Sequence, residues 1–175
     1  RMQDKHWDLL NERVQPDALD PESDEFIVLT TTNRRAQQLN ERYLNGLRGP
    51  ATEYTARFKD DFPKNMLPND ELLTLKEGAQ IMFIRNKTGY WQNGSIGRVE
   101  GLEKESIYVS IGEGAEKQQF EVEYEKWEAY RMRFDKGDDR WRPKTRGSYW
   151  QLPVKLARAI TIHKSQGKTY ERAAI

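Results

Sequence analysis

The stretch "ITIHKSQGKTYE", residues 160 to 171, places the hydroxyls of Thr161 and Ser165, the imidazole of His163 and the ammonium of Lys164 within five consecutive positions. Each is a hydrogen-bond donor suited to phosphate oxygens, and Thr161 and Ser165, four apart, would share one face of a helix. The stretch also ends in Gly167-Lys168-Thr169, the last three letters of a phosphate-binding loop. Such a loop needs an earlier glycine, five positions before the second, so that backbone N–H groups converge on the phosphates. Ile162 stands there, and a β-branched residue does not readily take positive φ. The residues before it also read as helix rather than as a strand entering a loop. These features exclude a phosphate loop and leave a donor cluster.

A second group is "TTNRR", with Thr31, Thr32, Asn33, Arg34 and Arg35 directly after the apolar run "FIVLT" at 26 to 30. The run has the form of a strand covered on both faces. The residues after it read as a helix, with threonines and Asn33 as caps, Ala36, Leu39, Tyr43 and Leu44 on one face, and Asn45-Gly46 as the stop. Ligands gather at the carboxyl ends of strands in such units, which puts this group where a site would be.

The third is the run 126 to 150, which interleaves Trp127, Tyr130, Phe134, Trp141, Tyr149 and Trp150 with bases. Stacking aromatics beside cations would suit single-stranded DNA. Aromatics filling a small barrel, with the charges as its wet face, is the packing alternative, and it is the one expected. Trp91 is expected to pack as well.

The elements that must position these groups follow from periodicity. Residues 3–14 predict an amphipathic helix carrying Trp7, Leu10 and Val14, stopped by Pro16 and followed by an acidic linker. Short strands are predicted near 52–58, 71–75, 79–84, 96–102, 106–111, 118–124 and 127–134, with "QNGS" at 92–95 as a hairpin signal, and together they point to a small barrel. "LPVKLARAITIH" predicts a helix with Leu156, Ala159, Ile160 and His163 on one face, and "YERAAI" a further parallel strand. The expected fold is therefore α/β at both ends with an all-β insert between.

Composition bounds the rest. At 175 residues the chain can form one domain or two small ones, and its net charge of +1 predicts no partner by itself. The distribution is uneven: residues 1–25 carry a net −5 and 100–125 a net −6, whereas 126–146 hold eight bases against four acids and 146–175 six against one. A polyanion would meet the C-terminal third first. There is no cysteine, and with only His6 and His163 a zinc site is not expected. No apolar run approaches a membrane span and the start lacks a signal-peptide core, so a soluble, cytoplasmic protein is expected. Opening on Arg1 and closing on "RAAI", the chain reads as part of a longer one.

"LTTTNRRAQQLN", "KEGAQIMFIRN", "NGSIGRVEGL" and above all "LPVKLARAITIHKSQGKTYERAAI" together resemble the C-terminal half of superfamily 1 DNA helicases of the RecD and PIF type. The resemblance implies an incomplete second RecA-like (P-loop NTPase-like) domain, residues 1–85 and 148–175, interrupted by an SH3-like β-barrel at 86–147. It implies that "TIHKSQG" is the fifth helicase motif, with Thr161, His163, Lys164 and Ser165 facing the DNA backbone and Gln166 and Gly167 toward a nucleotide cleft. "TTN" resembles the fourth motif, which would set Thr32 and Asn33 beside the DNA strand or the cleft; Arg34 and Arg35 are candidates for the γ-phosphate, since an arginine reaching across such a cleft stabilises charge in the transition state. The partners implied are single-stranded DNA and an N-terminal RecA-like ATPase domain of the same chain, with no membrane. ATP and Mg²⁺ would be held mainly by that domain, and the sixth motif would lie beyond Ile175, so this stretch alone is not expected to hydrolyse ATP. The alternative is a non-enzymatic adaptor whose barrel binds peptide or RNA.

Overall fold

The computed structural model describes residues 26–112, 114–135, 137, 139–167, 170 and 173–174. The helix predicted over 3–14 lies outside them. Among the described residues the fold is mixed α/β, mostly strand.

"FIVLT" forms β1, Ile27–Thr30, the centre of a three-stranded parallel sheet between β12, Ala159–Thr161, and β13, Ala173–Ala174. Its unbroken apolar run follows from cover on both faces. On one, Val28 packs with Ala36 and Ala159, flanked by Phe26 and Leu39; on the other, Ile27 packs with Met82, Ala157 and Ile160. The helix α1, Asn33–Gly46, supplies the first cover and ends at the predicted Asn-Gly. Thr32 is its N-cap, its hydroxyl accepting from the Arg35 N–H at 3.3 Å.

The middle of the chain is β-rich. A five-stranded antiparallel sheet runs β11-β5-β6-β7-β8, comprising Val154–Leu156, Gln80–Phe83, Ile96–Leu102, Ser106–Ile111 and Gln118–Glu123. Beside it lie the pair β2 (Thr52–Thr55) with β4 (Leu72–Leu75), and a sheet ordered β3-β10-β9: Arg57–Asp60, Arg140–Gln151 and Glu125–Asp135. Tyr54, Leu75, Ile81, Phe83, Val109, Leu152 and Val154 meet in the main core. Among the described residues no sheet closes on itself: β8 and β11 are the edges of the five-stranded one.

Two expectations are corrected, and one strand is additional. "LPVKLARAITIH" is not helical through Thr161: it forms β11, paired antiparallel with β5, and then β12, paired parallel with β1. Burial on both faces gives a strand apolar spacing that mimics a helix, and the hydrogen-bonding partners that decide the matter are distant in sequence. The signal "QNGS" makes a β-turn, with the Ser95 N–H donating to the Gln92 carbonyl at 3.0 Å, but it ends a long β5–β6 excursion rather than a tight hairpin. Strand β10 was not foreseen, because Pro143, Gly147 and dense charge mask it.

Candidate nucleic-acid interface

Both predicted donor groups leave the carboxyl ends of neighbouring parallel strands. Thr30 of β1 lies opposite Thr161 of β12, with Leu29 opposite Ile160 and Val28 opposite Ala159. At an interstrand spacing of about 4.8 Å, this register brings "TTN" and "IHKS" out of the sheet side by side. The Thr30 hydroxyl reinforces the junction, its one proton shared between the carbonyls of Thr32 at 3.1 Å and Ile160 at 3.3 Å. That frame serves the predicted site residues unequally.

Thr32, Asn33, Arg34 and Arg35 are all exposed at the start of α1. That first turn holds no acid, although the positive end of a helix dipole favours one and disfavours guanidinium groups. Two arginines there work against local stability, an arrangement that an anion would reverse. Beyond Thr161, a short helix α2, Ile162–Ser165, presents His163 and Lys164 to solvent, followed by exposed Gln166 and by Gly167 at φ +73°.

Two donors differ from expectation. Thr161 is only 7% exposed and belongs to β12, so it shares no helical face with Ser165. The Ser165 hydroxyl donates back to the Ile162 carbonyl at 2.7 Å, leaving its lone pairs but not its proton for a ligand. The residues before Ile162 are strand, which removes one of the two grounds for rejecting a phosphate loop. The other stands: Ile162 sits in α2, not in a glycine-permitted turn, and it is absent from the positive-φ residues.

Three supporting residues escaped the sequence reading. Asn40 of α1 bonds to the backbone at Leu156 and Ala159, and Gln80 donates through its side chain to the Ala157 carbonyl at 3.0 Å. Arg158 is buried, donating to the Phe26 carbonyl at 2.9 Å with its guanidinium 4.2 Å above the Phe26 ring. A buried polar side chain carries no periodic signature, so only its partners reveal it. Lys155 lies nearby: burial lowers its ammonium pKa, Asp70 opposes that, and the Lys164 charge adds to the lowering.

The aromatic-basic run divides. Trp127 and Tyr149 pack with Ala56, Phe62 and Ala129, as expected, whereas Tyr130, Phe134 and Trp141 are exposed on the distal part of β9 and β10. Trp91 is buried and stacked on Phe83 at 4.4 Å, again packing. Among the described residues no three His, Asp or Glu side chains are grouped to hold a metal ion, and no helix is long and apolar enough to cross a membrane.

No family model matches the chain. Unliganded Pif1 from Bacteroides sp. has the same fold over 98% of this chain, with a TM-score of 0.84 and 29% identity, the match covering 39% of that chain. Pif1 from Bacteroides in complex with ADP-AlF3 and ssDNA matches over 98% with a TM-score of 0.79 and 29% identity, covering 39% of that protein. That correspondence defines the class as a superfamily 1B helicase segment. The ATP-dependent DNA helicase Pif1 of Campylobacter jejuni is 27% identical over 175 aligned positions, covering 91% of this chain and 38% of the relative. The chain is similar to the Pif1 type of that class and spans about two fifths of the length of these proteins.

Proposed function

We propose that this chain is the part of an ATP-dependent DNA helicase that grips single-stranded DNA and couples the grip to nucleotide-driven domain closure. The observation that carries the reading is the parallel register of β1 and β12, which sets the TTN and TIHKSQG segments beside each other at the carboxyl end of the sheet. In this reading His163 and Lys164 donate to phosphate oxygens, Thr32, Asn33 and the acceptor side of Ser165 line the strand's path, and Thr161 anchors the turn from beneath. Gln166, Gly167, Arg34 and Arg35 face the nucleotide. The donor set is cationic, which fits a polyanion, and in this reading Mg²⁺ is held mainly by the N-terminal domain.

The ATP would be clamped between this unit and an N-terminal RecA-like domain of the same protein, with translocation running 5′ to 3′. Closure would move the grip with the cleft. The proposed division keeps a RecA-like part at 1–85 and 148–175 and an SH3-like insert at 86–147. Strand β5 pairs with β11 on one side and with β6 on the other, which supports treating the two as a continuous body.

A fluorescence titration of labelled single-stranded DNA at two salt levels tests the site. His163→Ala with Lys164→Ala is expected to weaken binding severalfold and to flatten the salt dependence. Equal binding by the variant and the parent chain would remove the assignment.

A further inference from the structure

Strands β9 and β10 pair from Glu125↔Gln151 to Asp135↔Arg140, but β3 accompanies β10 only from Gly147 to Trp150. Beyond that point the pair projects as a two-stranded ribbon. Its register sorts the side chains, because residues directly opposite share a face and successive residues alternate. Opposite pairs Tyr130–Thr145, Met132–Pro143 and Phe134–Trp141 form one face. Arg131–Lys144, Arg133–Arg142 and Asp135–Arg140 form the other. The basic face thus holds five cations against one acid, Asp135, which lies 4.0 Å from Arg142.

The apolar face is open to solvent: Tyr130 is 57% exposed, Met132 58%, Phe134 41% and Trp141 63%. Phe134 and Trp141 sit edge to face with centroids 5.5 Å apart. Large apolar side chains grouped in solvent mark a binding surface. Five cations ask for a polyanion, and the aromatics ask for flat, weakly solvated counterparts. A duplex supplies the first alone, since its bases are stacked inside; the Asp and Glu residues of an acidic peptide likewise supply charge without π-faces. An unpaired polynucleotide strand supplies both.

We infer that the distal β9–β10 ribbon is a second binding element for unpaired polynucleotide, stacking bases on Phe134 and Trp141 while Arg131, Arg133 and Arg142 reach phosphates around the strand edges. It is separate from the strand-end cluster and does not rest on it. Stacking platforms beside cations bind single strands with little sequence preference.

The test titrates labelled oligothymidylate and a blunt duplex into the chain at two salt levels. Three variants are compared: Phe134→Ala with Trp141→Ala; Arg131→Ser with Arg133→Ser and Arg142→Ser; and His163→Ala with Lys164→Ala. All of these side chains are exposed, and unchanged melting temperatures establish that the variants are folded. The aromatic variant is expected to lose about tenfold for oligothymidylate, with an unaltered salt slope and unaltered duplex binding. The arginine variant loses affinity for both ligands, and its log–log salt slope for the single strand falls by about 2, from roughly 0.7 per phosphate contact. Both losses persist if the strand-end variant turns out to bind as the parent does. Undiminished oligothymidylate binding by the aromatic variant overturns the inference, as does displacement by polyglutamate as effective as by oligothymidylate at equal charge.

Discussion

The carboxamide of Asn40 closes a ring on the backbone of Ala159, accepting from its N–H at 2.7 Å and donating to its carbonyl at 2.9 Å. Asn40 stands on α1 and Ala159 opens β12, so one side chain ties the helix after the first motif to the strand before the second.

Asn40→Ala leaves that N–H and carbonyl without their partner at a site where Ala159 is 1% exposed. Each such group costs about 1–3 kcal/mol, so the variant is expected to lose roughly 2–4 kcal/mol of stability. Urea denaturation measures it; a loss under 0.5 kcal/mol would show that the ring contributes nothing.

Arg35→Glu is expected to act in opposite directions on stability and binding. With Thr32 as N-cap, a glutamate three positions on completes a capping box and meets the helix dipole favourably, gaining about 0.5–1 kcal/mol. The same change removes a cation from the proposed nucleotide-facing group. Thermal melting should rise by a few degrees while anion affinity falls, and a rise without a fall would separate Arg35 from the site.

Gly147→Ala is expected to be severe. A Cβ at Gly147 would lie 2.6 Å from the Asp61 carbonyl carbon and 2.8 Å from the Phe62 Cα, backbone atoms that cannot yield as a flexible side chain does. The register shift between Thr145 and Gly147 falls at the same point, next to the paired Arg146 and Asp61. A loss of about 3 kcal/mol or more is expected, read from chemical denaturation. Wild-type stability would mean that the strand can step away from residues 61–62.

Stability is expected to fall at both ends of the pH scale. Burial pushes the Tyr54 hydroxyl up to about 12, and burial raises Tyr149 as well. Each donates to backbone carbonyls: Tyr54 to Glu103 at 2.8 Å, Tyr149 to Asp70 at 3.0 Å. A phenol whose folded pKa exceeds its unfolded value near 10 keeps its full contribution below pH 10 and loses it as the pH rises through the folded value, about 12 for Tyr54. Glu100 has the opposite sign: hydrogen bonds from Lys117 and Ser110 lower its pKa, so its contribution is present above the ordinary glutamate range and lost as pH falls below it. Denaturation midpoints at pH 3, 7 and 11.5 check both limbs, and a flat profile would contradict them.

What was readable beforehand was what depends on neighbours in sequence. The α1 cap at Thr32, its stop at Gly46 and the covered strand 27–30 need only local chemistry and an apolar run. Residues 152–161 were misread because their partners lie on β5 and β1, more than seventy residues away. The same distance hid Asn40, Gln80 and Arg158, each a polar residue whose value lies in a remote carbonyl or amide. The strand-end donors were found by type and spacing, but the burial of Thr161 and the back-bond of Ser165 required coordinates.

Only Ala157 and Arg158 separate β11 in the five-stranded sheet from β12 in the parallel one. Neither is slack: the Ala157 N–H donates to the Gln80 carbonyl at 3.0 Å, and the Arg158 carbonyl receives the Val28 N–H at 2.8 Å. A splice fastened on both sides behaves as a rivet. Twisting of the β-rich body must therefore drag His163 and Lys164 along, and a single residue inserted at 157–158 would throw one sheet or the other out of step.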